Sequence, residues 1–312
     1  MRRRVRFIVA PIAGLLLVAG CGYDETPVPK PPAAETDAGS SSGEAPACDD
    51  ATTSYAPSDD RGAALDDLKN KGRLVVGVSA DSYKLGSANP FKKSAIEGFD
   101  IDLAQAIAKA LGVKVQLRVI SAGERIGLLE DREVDIVARN FTMNCDRWEQ
   151  IGFSAVYYDA AQKVLIRKDT AEKWKKYAGP QDLAGLRVCA PAGTTSIANI
   201  QKIEPDAIAV PAANHTGCLV KFQQGEVDAI TGDDTVLAGL AAQDPYAVVP
   251  PQEKLTDEPY GIGVKKDNID LIRFINSVID QRRSNGDWQG SYNTWFAAKL
   301  GKATPPKPEY GR

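Results

Sequence analysis

The sequence predicts an α/β fold with a mainly parallel sheet, on two observations. Short β-rich runs alternate with helical patterns, and the alternation fills a body of about 250 residues, enough for one large or two modest domains. The strand runs are RLVVGVS (73–79), VKVQLRVI (113–120), VDIVA (134–138), VLIR (164–167), LRVCA (186–190), VDAIT (227–231) and YGIGV (260–264). Helical patterns lie between them at 101–112, 122–132, 195–203, 217–225 and 235–242, and two longer ones close the chain at 268–284 and 288–300. In the first, Leu103, Ile107 and Leu111 share one face and Gly112 supplies a stop. A weak echo links LLEDREVDIVARNFT (128–142) with KFQQGEVDAITGDDT (221–235), superposing Thr142 on Thr235. It fits two similar lobes, each offering polar groups at the carboxyl end of a strand.

The amino-terminal segment predicts export. Four arginines precede an apolar run from Phe7 to Val18, then Ala19-Gly20-Cys21. That run is too short to span a bilayer comfortably. LVAGC resembles a bacterial lipobox, which makes Cys21 the expected lipidation site, after a signal peptide at 1–20, on the outer face of the cell membrane. Residues 21–60 are rich in Pro, Ser, Gly, Ala and acid and read as a disordered tether. Residues 1–20 carry +4 and residues 22–60 carry −8, so the chain's net −3 leaves +1 for residues 61–312. A nearly neutral body has no basic patch suited to nucleic acid.

Setting Cys21 aside leaves Cys48, Cys145, Cys189 and Cys218, an even number in an oxidising compartment. Of three pairings, the strand end at Cys189 and the helix start at Cys218 favour Cys189–Cys218, which leaves Cys48–Cys145. The stretch NFTMNCDRWEQIGFSAVYY (140–158) sets Thr142, Cys145, Asp146 and Arg147 close together. It reads either as a reactive centre or as a ligand clamp, and a bridge at Cys145 removes the nucleophile.

Together with EGFDIDLAQAIAKALG, PAGTTS, GEVDAITGDDTVLAG and the YGIGVKKDN-to-NTWF segment, this stretch resembles the extracellular solute-binding proteins of polar amino acid ABC uptake systems. Among them the chain looks like the actinobacterial glutamate/glutamine-binding lipoproteins. The resemblance runs from about Leu65 to Phe296. It implies a periplasmic-binding-protein-like fold of two α/β lobes with a hinge of two crossover strands. Lobe 1 is then expected at 61–158 plus 259–312, and lobe 2 at 159–258.

Such a receptor must pair both charges of an amino acid zwitterion, because closure removes water. The family's T-x-x-x-x-R pattern falls on Thr142 and Arg147, whose planar fork suits a carboxylate; Asn140 opens the same segment. Asp234 matches the acidic partner of the ammonium, assisted by Thr194 and Thr195, with Asp233 expected as a cap or supporting residue. Arg125 matches an arginine that holds the side-chain carboxylate in glutamate/aspartate-binding members. His215, the only histidine, is either a further contact to that carboxylate or a helix cap. Tyr83 falls where members place an aromatic over the ligand, and Arg139 and Lys84 add positive charge nearby. No arginine lies near 79–81, where another acidic-ligand branch has one, so glutamine and asparagine stay open behind glutamate and aspartate.

Enzymatic readings find little support. One His and four Cys expected to pair leave no zinc set, and no G-x-S-x-G, P-loop or G-x-G-x-x-G occurs. A Cys145–His215 dyad needs a free thiol. Some exported dehydratases share the fold, and some related lipoproteins signal through a membrane partner and kinase. The expectation is a monomeric, lipid-anchored receptor without metal or cofactor, serving a permease and ATPase or a membrane sensor.

Overall fold

The computed structural model describes residues 50–60, 62–92, 95–168 and 179–312. The expected signal peptide, Cys21 and Cys48 lie outside these residues. Helix α1 (Ala63–Lys71) leads into β1 (Arg73–Val78), followed by the short strands β2 (Asp81–Ser82), β3 (Gly86–Ala88) and β4 (Ile96–Glu97). Helix α2 (Phe99–Leu111) stops where Gly112 takes φ 74° and its N–H closes on Ala108 and Lys109. Then come β5 (Lys114–Val119), α3 (Arg125–Glu130), β6 (Ile136–Val137), α4 (Cys145–Gln150), β7 (Ile151–Phe153) and β8 (Tyr158–Arg167). The second half holds β9 (Arg187–Pro191), α5 (Thr195–Ile203), β10 (Ile208–Ala212), α6 (His215–Gln223), β11 (Ala229–Asp233), α7 (Asp234–Gln243), β12 (Ala247–Val248), β13 (Thr256–Tyr260) and β14 (Gly263–Lys265). Helices α8 (Ile269–Ser284), α9 (Asp287–Trp295) and α10 (Ala297–Leu300) end the chain. No helix among the described residues is long and apolar enough to cross a membrane.

Two main sheets result, ordered β5-β1-β6-β14-β7 and β10-β9-β11-β8-β12, with β13 also paired to β8. Each has a parallel centre: β1 between β5 and β6, and β9 between β10 and β11. The expectation of mainly parallel sheet needs correcting, because β8 runs antiparallel to β11, β12 and β13, and β14 antiparallel to β6 and β7. The physical reason is the crossing. The chain leaves the first sheet after Phe153 and returns at Gly263 through β8 and β13, which pair from Tyr158↔Tyr260 to Gln162↔Thr256 as the two-strand hinge. Both faces of each sheet are covered. In the second sheet, Leu165, Cys189 and Ile230 pack with Phe222 and Leu237, and Val164, Val188 and Ala229 pack with Leu183 and Ile200. At the hinge base, Phe99, Tyr157, Tyr158, Tyr260, Trp288 and Phe296 form one aromatic cluster.

Residues 50–60, read from composition as the end of the tether, are packed on the body. Trp148 Nε1 donates to Ala51 O at 2.8 Å, Ser54 Oγ to Phe153 O at 2.8 Å and Asn276 Nδ2 to Tyr55 O at 2.7 Å. Ser54 also bridges Tyr310, and Arg312 stacks 4.0 Å over the Trp148 ring. These contacts use mainly backbone groups of the strap, which its polar composition does not reveal. Cys189 and Cys218 form a disulfide that ties β9 to α6. Cys145 is disulfide-bonded and carries no free thiol; its expected partner, Cys48, lies outside the described residues.

Candidate functional site

The site is built where strand ends of both sheets face each other across the hinge. From the first sheet, the chain leaves β6 through Arg139, Asn140 and Thr142 and turns into α4. Asn144 caps that helix by accepting from Arg147 N at 3.0 Å. This fixes Arg147 one turn in, where its Nη1 donates to Thr142 O at 2.6 Å. From the second sheet come Gly193 and Thr195 after β9, and Asp233 at the end of β11. The two halves touch. Arg125 Nη2 donates to Gly193 O at 3.1 Å, and a Cβ built on Gly193 (φ 71°) meets the Cα of Gly123 at 2.7 Å. Only glycine allows both that backbone conformation and that approach.

Thr142 and Thr195, on opposite sides, lie 3.4 Å apart through their hydroxyls. Both donate to the same atom, Glu258 Oε2, at 2.7 and 2.6 Å. Asn199 and Thr256 donate to Glu258 Oε1 at 2.9 and 2.7 Å. Glu258, on hinge strand β13, is thus a buried carboxylate that the sequence reading missed. A signal was available: Glu258 and Tyr260 share a strand face at period two, and Tyr260 belongs to a run expected to be buried.

The adjacent acids have different settings: Asp233 stands at the N-cap position of α7 without a side-chain cap bond, and Asp234 is the helix's first residue. Asp233 is buried and points into the cleft, where Tyr260 Oη donates to its Oδ2 at 2.6 Å and Oδ1 has no hydrogen-bond partner. Burial, then the neighbouring Glu258, raises its carboxyl to about 7. Asp234 is the first residue of α7 and accepts from Thr235 N at 2.8 Å, serving the helix start. The difference has a simple cause: β11 runs to Asp233, and the next residue turns onto the helix. Thr194 is also a cap; it accepts from Ile197 N at 3.4 Å and donates to Pro191 O at 2.7 Å. That leaves the Thr195 N–H at the start of a nine-residue helix.

Three guanidinium groups are buried here, those of Arg125, Arg139 and Arg147. They donate to backbone carbonyls: Arg125 to Ala122, Asn140 and Gly193, Arg139 to Ile120, Arg147 to Thr142. Desolvation lowers all three, Arg147 to about 10, and Arg147 and Arg139 lower Arg125 further by mutual repulsion. Phe141 lies beneath two of them, 4.3 Å from Arg125 and 5.0 Å from Arg147. Asn140 sits at φ 33°, with its N–H on Asp100 at 2.9 Å and its side-chain oxygen unpartnered. His215, first residue of α6, is buried with Nε2 unpartnered; desolvation, then Arg139, lowers it to about 3, so the ring is neutral. Asp81 lies near it with one oxygen unpartnered. Tyr83 is 40% exposed and packs on Gly239 of α7.

Three buried guanidinium groups and the buried carboxyls of Asp233 and Glu258 thus gather where the two sheets face each other. Comparison with known proteins identifies the family. The chain is 33% identical over 233 residues to the ABC transporter glutamine-binding protein GlnH of Bacillus subtilis, covering 73% of this chain and 83% of that protein. It is 28% identical to the glutamate-binding protein GluB of Corynebacterium glutamicum, covering 70% and 76% of the two chains. Among solved structures, a mutant of the arginine-binding protein ArgBP of T. maritima matches with TM-score 0.70 and 30% identity, over 75% of this chain and all of that one. The ancestral amino acid-binding protein AncCDT-1, a precursor of cyclohexadienyl dehydratase, matches with TM-score 0.69 and 30% identity over the same shares. The family model for bacterial extracellular solute-binding proteins, family 3, matches residues 74–298, and this chain belongs to that family.

Proposed function

We propose that this protein is an extracellular receptor for a free α-amino acid with an acidic side chain, glutamate or aspartate, with glutamine and asparagine next. The observation that carries the reading is a buried guanidinium, Arg147, and a buried carboxyl, Asp233, placed on facing sides of the site, each still without a charged hydrogen-bond partner. Arg147 and the N–H groups at the start of α5 receive the α-carboxylate. Asp233 receives the ammonium, which gives its unpartnered Oδ1 a donor. The side chain then faces Arg125, Arg139, Asn140 and His215. Three mutually repelling guanidinium groups favour a ligand that brings an extra negative charge. They disfavour a guanidinium side chain, although arginine-binding proteins are among the relatives. Lobe limits at 61–158 plus 259–312 and at 159–258 are supported by the crossings of β8 and β13.

Cys21 anchors the chain by a lipid, and the closed receptor delivers its ligand to an ABC permease. The protein acts as a monomer and is not an enzyme, which the solute-binding roles of its relatives support. Calorimetry against glutamate, aspartate, glutamine, asparagine and arginine tests the reading. The expected outcome is micromolar or tighter affinity for an acidic or amide ligand, about −8 kcal/mol, and no measurable heat with arginine. No heat with any of the five defeats it.

A further inference from the structure

We propose that Glu258 is a positioning residue: a hinge carboxylate that latches the two lobes together by holding the clamp hydroxyls of Thr142 and Thr195. The proposal rests on the functional reading above only where ligand affinity is concerned. Glu258 is 1% exposed and accepts four side-chain hydrogen bonds, two on each oxygen. Three of the donors belong to the second sheet's side or to the hinge: Thr195, Asn199 and Thr256. Thr142 alone comes from the first sheet's side.

Asn199 and Thr256 also meet Gln162 Oε1 on the other hinge strand, at 2.9 and 3.1 Å. Gln162 in turn donates to Thr231 Oγ1 at 2.8 Å and Ser196 O at 3.1 Å. Glu258 is thus fixed to one lobe by a connected network, and the Thr142 hydroxyl bond, like the Arg125–Gly193 bond, is a contact that opening must break. A hydroxyl has one proton. With those of Thr142 and Thr195 both committed to Glu258, neither is free to donate to a ligand carboxylate, which leaves that task to Arg147 and the start of α5. The latch therefore acts on ligand affinity through the closed population: apparent affinity scales with the fraction of molecules already competent to bind.

The test uses the mature chain as wild type, Glu258→Gln, Thr142→Val and the double variant. Small-angle scattering without added amino acid reads lobe opening, calorimetry with glutamate reads affinity, and thermal melts report folding. Each single variant is expected to scatter as a more open molecule, to return to the wild-type profile when saturated, and to bind about ten- to a hundredfold more weakly. The double variant is expected to match the single ones, as for two residues sharing one interaction. A merely structural Glu258 would lower the melting temperature and leave the scattering of folded protein unchanged, which overturns the proposal. Tighter binding in Glu258→Gln, meaning competition with the ligand carboxylate, also overturns it, as do additive effects. If Glu258→Gln does not fold, Thr142→Val decides alone, since it leaves Glu258 with its other three partners. A wild type that binds no glutamate fails the functional reading, while the scattering still judges the latch.

Discussion

The two ends of the cleft are satisfied to different degrees. Around Glu258 every carboxylate oxygen and both clamp hydroxyls have a partner within 2.9 Å. Towards His215, the side chains of Asp81, Asn140 and His215 each bury an atom with no hydrogen-bond partner. Leaving a buried polar atom unpaired costs about 1–3 kcal/mol. The satisfied end holds its geometry by itself. The unsatisfied end recovers its cost only when a molecule supplies matching groups, so under the proposed function it is the expected place for selectivity.

The strongest way to break this contrast is at Arg147, the proposed partner of the α-carboxylate. Arg147→Ala removes that guanidinium, on which Glu258 is the charge that acts most. A loss of about 2–5 kcal/mol in ligand affinity is expected, read by calorimetry, with side-chain selectivity among surviving ligands unchanged. Retained affinity would remove Arg147 from the site. Next in size is the pair of aspartates. Asp233→Asn is expected to weaken binding about ten- to a hundredfold through loss of a charge-assisted contact. Asp234→Asn, confined to the start of α7, should stay within about threefold and cost less than ~1 kcal/mol of stability. The opposite ranking would restore the sequence expectation.

Those aspartates show how far the sequence carried. Most elements were legible because each rests on local periodicity, α5 falling on 195–203 as expected, while the two lobes and their hinge came from the family resemblance. The same resemblance singled out Arg147 and Thr142, which a local turn into α4 brings into contact. The Cys189–Cys218 bridge was legible from the local pattern, as a strand end meeting a helix. What was not legible depends on one-residue register or on long-range partners. Asp233 and Asp234 differ only in whether β11 has ended. Glu258 is defined by donors 2 to 116 residues away. The strap at 50–60 is held by its backbone, which has no compositional signature.

A smaller, graded effect follows from pH. Folding raises Asp233 from an ordinary carboxyl value of about 3.9 to about 7. A raised carboxyl favours the folded state below the unfolded value, and that contribution is lost as pH climbs from about 4 to about 7. Ligand binding has the opposite sign. An ammonium needs the ionised carboxylate, so below about pH 7 binding must expel the Asp233 proton. Affinity should therefore fall as pH drops from 7.5 to 5.5, by at most about tenfold per unit, with proton release visible in buffers of different ionisation heat. Asp233→Asn should flatten the profile. A flat wild-type profile would place the ammonium elsewhere.

A modest effect is expected at His215, and it probes the unsatisfied end directly. Burial and Arg139 hold the ring neutral, at about 3, so under the proposed function it offers the ligand side chain a hydrogen-bonding atom and no charge. Its Nε2 lies so near the second sheet that a Cβ built on Gly232 would meet it at 2.7 Å, which fixes the ring's position. His215→Leu should then weaken glutamate and glutamine alike, by about three- to tenfold for one neutral hydrogen bond. Calorimetry of both ligands with both proteins measures the ratio. If glutamate alone loses more than about tenfold, the ring is charged in the complex, and selectivity for the acid rests on His215 as well as on Arg125 and Arg139.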